Sequence, residues 1–359
     1  MNDKLVIFRA SQSVSYSKLV LGITLISAPW LLLILIHTIS GYSILESVPV
    51  WSDELSYWHE ILSLSQKGLQ HGYYSYNEIT PVLSSFGSHG FGTVTSYAFF
   101  ANLFGWKTYS IVIANAFFMS LAFLFLCVML KPTAKVLIIL LLFTLSYMPY
   151  LLFSITSMSE GLNYALLIVY FVFLHVYHLK EKRMLMYTLL MFCTVISFVR
   201  IIYILLFLPI LVIYLKERKY LRKTLLIIPI WIIFSIILFF TNSLFVSPYP
   251  DSFLNELFNT TGFAARISLF LIHFADNIIN YINPISDNIF QVFERYFILI
   301  VLIYCFFKSG LLFYKSRAIE IRYFIVFLIL IFVLLITLGA YDVSDWRDYR
   351  VLSPVLYSC

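Results

Sequence analysis

The sequence predicts an all-α polytopic membrane protein, built as a bundle of about nine to ten transmembrane helices. Hydrophobic residues make up 61% of the 359 residues, charged residues only 12%, and the mean hydropathy is +0.92. Because a soluble domain carries about 25% charged residues, this chain lacks the polar side chains needed to cover a water-exposed surface. Long apolar runs recur along the chain, and its basic residues cluster between alternate runs.

Nine apolar runs approach the roughly 20 residues that a helix needs to cross a bilayer. The fifth and sixth runs are short and meet at Arg200, so they form either a tight pair of crossings or one broken helix. The chain reaches Cys359 inside what looks like the start of a tenth helix. The nine predicted crossings are Leu19–Ser40, Ser110–Leu130, Val136–Leu152, Leu162–Leu179, Met184–Val199, Ile201–Leu215, Thr224–Asn242, Ile289–Phe307 and Tyr323–Leu338.

The basic residues predict the orientation of the helices, because Lys and Arg are enriched in cytoplasmic segments. With the N-terminus in the cytoplasm, the cytoplasmic segments hold 17 of the 24 Lys and Arg residues but only 4 of the 18 Asp and Glu residues. Two long segments, 41–107 and 243–288, then lie outside. The basic segments are short and scattered, so the net charge of +6 does not indicate a nucleic-acid partner. We interpret residues 1–359 as one membrane-embedded domain.

The second outer segment contains a predicted amphipathic helix that lies on the membrane surface, over Phe263–Ile282. Counting it as a crossing would place the basic segment Lys308–Arg322 outside, which argues for a surface position. Its apolar stripe comprises Phe263, Ile267, Phe270, Leu271, Phe274 and Ile278. Its polar stripe comprises Arg266, His273, Asn277 and Asn280.

The first outer segment carries two adjacent carboxylates, Asp53 and Glu54, about ten residues beyond the first crossing. Carboxylates on an outer loop beside the membrane are suited to act as a general base or to bind a metal ion. A solvated acidic turn before an amphipathic helix accounts for the same pair equally well. The spacing alone leaves both interpretations open.

Three short motifs of this segment occur in a familiar order: Asp53-Glu54 with Tyr57, then His89-Gly90, then Phe104-Gly105. This order resembles the GT-C glycosyltransferase superfamily, which includes protein O-mannosyltransferases, lipid A aminoarabinose transferases and bacterial cell-surface sugar transferases. The proline that usually follows the His/Gly motif in these enzymes is absent. The resemblance implies a GT-C-like bundle whose first outer loop carries juxtamembrane helices. It also implies a bacterial inner-membrane location with the active site on the outer face.

The reaction implied by the resemblance moves a sugar from a polyisoprenyl-phosphate donor to a glycan, lipid or protein acceptor. In this scheme Asp53 is the general base, and Glu54 orients the acceptor or assists Asp53. The superfamily contains both metal-dependent and metal-independent enzymes, so the resemblance leaves a divalent metal ion open. The sequence has no Gly-rich phosphate loop and no dinucleotide fingerprint, which disfavours a nucleotide-sugar donor.

Further site residues are implied by looser matches. Arg200, with either Arg347 or Arg350, would bind the donor phosphate, because Arg matches phosphate oxygens. Tyr57, His89 and Glu160 would bind substrate. The arginines and Glu160 also have plainer explanations: an interfacial anchor for Arg200, a solvated loop for the other arginines, and a helix first-turn acid for Glu160.

A polysaccharide polymerase or a flippase of lipid-linked oligosaccharides is the main alternative function. Both classes have many helices and basic inner loops, as this chain does. A flippase is expected to carry charged residues in mid-membrane, whereas these crossings are nearly free of charge. A polymerase usually has its large loop late in the chain, whereas the first outer segment is the longest here. A membrane protein without catalytic activity is a third interpretation.

Overall fold

The computed structural model describes residues 16–41, 43–74, 82–87, 90–180, 182–215, 221–247 and 253–282, with nine isolated positions beyond residue 290. These residues fall into two compact units, one of 16–69 and 93–189 and the other of 70–92 and residues from 190 onward. That they form one membrane-embedded domain stays a prediction. The predicted sites His89, Arg347 and Arg350 lie outside the described residues, as do most of the crossings Ile289–Phe307 and Tyr323–Leu338.

The described residues are almost entirely helical, which confirms the all-α class. The one addition is a hairpin of two three-residue antiparallel strands, β1 (Gly72–Tyr74) and β2 (Val82–Ser84). Short 3₁₀ turns occupy Ile44–Glu46 and Ile201–Leu206. The α-helices are α1 (Tyr16–Ser40), α2 (Ser52–Lys67), α3 (Phe91–Phe104), α4 (Ser110–Leu130), α5 (Ala134–Ser146), α6 (Met148–Ser154), α7 (Glu160–Lys180), α8 (Arg183–Val199), α9 (Phe207–Leu215), α10 (Leu221–Phe245), α11 (Phe253–Asn259) and α12 (Phe263–Ile282).

Three of these helices, α1, α4 and α7, are long and apolar enough to cross a membrane. Their bounds follow the predicted first, second and fourth crossings closely. Shorter apolar stretches occur in α5, α8, α10 and the Ile201–Leu211 segment. The described part of the chain therefore has three helices that could span a membrane, while the total of nine to ten crossings stays a prediction.

The core of the first unit lies where α4 packs between α1 and α7. Leu33 of α1 is buried against Val112 and Ala116 of α4. On the other side, Gly161 of α7 approaches Asn115 of α4 so closely that an added Cβ would lie 2.6 Å from the Asn115 Cβ. Small residues permit such close helix contacts in membranes, where dispersion forces and polar contacts replace the hydrophobic effect.

The predicted third crossing, Val136–Leu152, is interrupted. Helix α5 ends at Ser146, Tyr147 adopts an extended conformation (φ −74°, ψ 99°), and α6 then begins with Pro149 in its first turn. Helices usually end at or before the residue that precedes a proline, whereas proline suits the first turn of a new helix. The Tyr147 break places the short α6 directly before the loop that leads to α7.

The predicted interruption at Arg200 is confirmed. Its backbone is extended (φ −140°, ψ 123°) between the end of α8 and the 3₁₀ turn that precedes α9. In the same unit, the indole of Trp231 donates a hydrogen bond to the Ile204 carbonyl in that turn (3.2 Å). The irregular segment after Arg200 is thereby attached to α10.

Two tryptophans bind α2 to the connection between α3 and α4. The Trp58 indole donates to the Lys107 carbonyl (3.0 Å), and the Trp106 indole donates back to the Trp58 carbonyl (3.2 Å). Tryptophan is enriched at membrane–water interfaces, where its ring is buried and its N–H finds a partner. The reciprocal bonds fix the position of α2 along this end of the unit.

The hairpin is attached to the end of α10 within the second unit. The Phe86 N–H donates to the Phe245 carbonyl (2.9 Å), and the Ser247 N–H donates to the Phe86 carbonyl (2.9 Å). The Ser84 hydroxyl adds a bond to the Phe245 carbonyl (2.8 Å). Parts of the two segments predicted to lie outside, 41–107 and 243–288, are therefore in direct contact.

We expect Gly161→Ala to destabilise the first unit, because the new methyl group would overlap the Asn115 side chain. Overpacking of this kind costs about 1–3 kcal/mol. The matched control is Gly22→Ala in α1, whose Cβ would meet only the Cys127 sulfur at 4.0 Å. Thermal unfolding in detergent should show a lowered midpoint for Gly161→Ala alone. Equal midpoints for both variants would contradict this packing.

Candidate functional site at the start of α2

The candidate site is built around the first turn of α2, where the sequence places Asp53 and Glu54. The helix begins at Ser52, and the Trp51 side chain offers no acceptor for the free N–H groups of the first turn. Glu54 instead fixes the residues just before the helix from the third helical position, since its Oε2 accepts the N–H groups of Val50 (2.7 Å) and Trp51 (3.0 Å). The carboxylate thus stabilises the helix start, as in the Glu half of a capping box.

The other oxygen of Glu54 reaches across the chain. Its Oε1 accepts the backbone N–H of Ser157 at 2.7 Å, over 103 residues of sequence. With only 3% of its surface exposed, the Glu54 side chain is buried between the two segments. Three N–H donors hold the charge, and bonds to an ionised acceptor are stronger than neutral ones. Glu54 therefore acts as a tether between α2 and the loop before α7.

Asp53 occupies the neighbouring position and is half-buried. Successive side chains on an α-helix differ by about 100° in direction, so the inward position of Glu54 turns Asp53 away from the tether. The two adjacent carboxylates consequently have different surroundings. Of the pair, Asp53 is the one with solvent-accessible surface for a second molecule.

Tyr57 continues the inward face of α2 one turn later. Its hydroxyl accepts a hydrogen bond from the Ser159 hydroxyl (3.2 Å), and Ile61 is buried one further turn along. Residues three and four apart lie on one helix face, so Glu54, Tyr57 and Ile61 form a continuous contact surface. This surface holds α2 against the segment that leads into α7.

Glu160 begins α7 and is buried directly after the tethered loop. An acidic residue in a first turn is favoured by the helix dipole. The first turn is closed by Asn163, whose N–H and side-chain amide both donate to the Ser159 carbonyl (3.2 and 2.9 Å). The structure thus brings the predicted site residues Asp53, Glu54, Tyr57 and Glu160 into one unit, on two segments joined by hydrogen bonds.

A buried polar network below this loop was not predicted. The Asn115 amide of α4 donates to the Met158 carbonyl (2.7 Å), and the Tyr97 hydroxyl donates to the Asn115 Oδ1. Ser157 is also buried, and among the described residues its hydroxyl has no hydrogen-bond partner. The signal in the sequence is an Asn in each of two apolar helices, Asn115 and Asn163, because polar residues at membrane depth need partners and often mark function.

The other predicted site residues lie in the second unit or outside the described residues. Arg200 lies in the second unit, half-exposed at the break after α8. His89, Arg347 and Arg350 are outside the described residues. Within the ranges that the structure describes, no three His, Cys, Asp or Glu side chains form a metal-binding group.

Comparisons with known proteins do not assign this chain to a family. No protein-family model, no curated protein and no solved structure matches this chain. The functional interpretation therefore depends on the geometry of the α2 site and on the motifs of the first outer segment.

We expect Glu54→Ala to destabilise the protein far more than Asp53→Asn. The first change removes the acceptor of the buried Ser157 N–H and the cap of α2, a loss of roughly 2–4 kcal/mol. Asp53→Asn leaves all three Glu54 bonds in place. The midpoints of thermal unfolding in detergent test this expectation. A larger loss for Asp53→Asn than for Glu54→Ala would mean that the tether is not formed.

Proposed function

We propose that this chain is an integral membrane glycosyltransferase of the GT-C type, working on the non-cytoplasmic face of a bacterial inner membrane. It would move a sugar from a polyisoprenyl phosphate to a cell-envelope acceptor, within a bundle of nine to ten crossings. The observation that carries the proposal is the asymmetric carboxylate pair. Glu54 is fixed by three backbone N–H groups, and Asp53 beside it is left with accessible surface.

The location of the pair supports this chemistry. Helix α2 follows the apolar helix α1 by a short connection and is attached through Trp58 and Trp106 to the start of α4. Both α1 and α4 are long enough to cross a bilayer. Asp53 is therefore held near the ends of two apolar helices, which is where the head group of a lipid-borne substrate would lie.

In the proposed reaction, Asp53 accepts the proton of the acceptor hydroxyl. The hydroxyl oxygen forms a bond to the anomeric carbon of the donor sugar, and the bond between that carbon and the phosphate oxygen breaks. The polyisoprenyl phosphate leaves with the electron pair. A carboxylate within hydrogen-bond reach of the nucleophile is what general-base catalysis requires.

The other predicted residues take supporting roles in the proposal. Glu54 positions Asp53 by fixing the first turn of α2, and Tyr57 holds the helix against Ser159. Glu160 borders the same loop as a candidate contact to the substrate. Arg200, with Arg347 or Arg350, would stabilise the departing phosphate, where negative charge develops.

We expect Asp53→Asn to abolish sugar transfer while the protein still folds and inserts. Loss of a general base reduces the rate by about 10²–10⁴-fold. A strain lacking the gene, complemented with each variant, would be analysed by mass spectrometry of its envelope glycans. The matched control is Ser52→Ala, a change at the exposed neighbouring position.

The wild type and Ser52→Ala should restore one defined sugar residue that the deletion strain lacks, and Asp53→Asn should not. Membrane levels of each protein, measured by immunoblot, separate loss of activity from loss of protein. Full restoration by Asp53→Asn at normal protein level would exclude Asp53 as the base.

A further inference from the structure

Helix α12 is held in a defined hairpin with the short helix α11. The Arg266 guanidinium donates through Nε to the Thr260 carbonyl (2.8 Å) and through Nη2 to the Phe258 carbonyl (3.0 Å). These bonds cap carbonyl groups at the end of α11. The Phe253 ring stacks on the His273 ring with centroids 3.6 Å apart and planes 5° from parallel. The rotation of α12 about its axis is thereby fixed.

Three of the four side chains in the polar stripe of α12 point inward. Asn277 is only 3% exposed, and its side-chain amide lies 3.0 Å from the His273 Nε2. His273 and Asn280, which share the same stripe, are half-buried. The fourth side chain, Arg266, is exposed and is held by its bonds to the carbonyl groups of α11.

The apolar stripe points outward. Phe263 is 81% exposed, and Leu271 and Ile279 are 57% and 58% exposed. At 100° per residue, the exposed large apolar side chains fall within an arc of about 200° of the helix circumference. Both charged residues of the helix, Arg266 and Asp276, are also exposed but lie outside this arc.

This arrangement is the reverse of a helix on a water-exposed protein, which buries its apolar stripe and exposes its polar one. Exposing large aliphatic side chains to water costs about 25 cal/mol per Å², whereas a bilayer interior removes that cost. Helix α10 of the same unit also exposes large apolar side chains along its length, among them Ile233 and Phe239. The outward face of α12 is thus matched to acyl chains.

We propose that α12 lies flat in the outer leaflet, with its exposed apolar face in the acyl chains of the membrane and its polar stripe against the protein. The helix is 20 residues long, yet it is not among the helices apolar enough to cross a membrane. Six residues between Arg266 and Asn280, in the centre and near the end of the helix, are polar or charged. A flat position keeps these groups at the interface. This proposal does not depend on the proposed sugar transfer.

Depth measurements in lipid test the proposal. In a background with the four cysteines replaced by serine, single cysteines at Ile267, Leu271 and Ile278, which share one line of the apolar stripe, would be labelled with bimane. The protein would be reconstituted into phosphatidylcholine vesicles carrying brominated lipids. All three labels should be quenched and lie at one shared depth, roughly 5–10 Å into the head-group/acyl boundary. A label at Asp276→Cys is the control and should be quenched least.

Two outcomes would overturn the proposal. A graded depth, with Leu271 deepest, would show that α12 crosses the membrane. Absence of quenching at all three positions would show that the face contacts water or a second copy of the chain, and cysteine cross-linking between copies would distinguish these. Native-background variants provide a second measurement: Leu271→Lys should lower the unfolding midpoint in lipid nanodiscs, whereas Asp276→Lys should not. Equal midpoints for these two variants would also contradict the proposal.

Discussion

The tether formed by the Glu54 carboxylate is the interaction on which the candidate site depends. One side chain stabilises the start of α2 through Val50 and Trp51, and it joins that start to the loop before α7 through Ser157. A buried carboxylate is costly unless hydrogen bonds compensate the lost hydration, and here three backbone N–H groups do so. Because the tether uses Glu54 for structure, the proposed function assigns the general-base role to Asp53.

Lipid as the solvent explains the distribution of polar groups. In a bilayer, backbone and side-chain polar atoms must find partners within the protein. The first unit satisfies this requirement by bringing Tyr97, Asn115 and the Met158 carbonyl together between its apolar helices. The second unit does so by turning His273, Asn277 and Asn280 of α12 inward. Large apolar side chains are then left on the protein surface, where contact with water would be unfavourable.

The long apolar helices are predictable from the sequence, because the length of an apolar run alone determines them. Helix α4, for example, has the same bounds as the predicted second crossing. The break at Tyr147 was missed although Pro149 signals it. The hairpin at Gly72–Tyr74 was missed because its anchor, Phe245, is distant in sequence. The resemblance gives Asp53 the role of the base and Glu54 a supporting one, but the structural role of Glu54 is visible only in its contact to Ser157. A hydrogen bond between residues 103 positions apart leaves no pattern in the local sequence.

In the proposed function, the first turn of α2 is held at the non-cytoplasmic surface of the membrane. A cysteine placed at the exposed Ser52, beside Asp53, reports this directly through labelling of intact cells with a membrane-impermeant maleimide. The comparison is a cysteine at Lys182, on the opposite side of the predicted topology. We expect Ser52→Cys to be labelled from outside, and Lys182→Cys to be labelled only after the membrane is permeabilised. The reverse pattern would place the carboxylates in the cytosol and contradict the account.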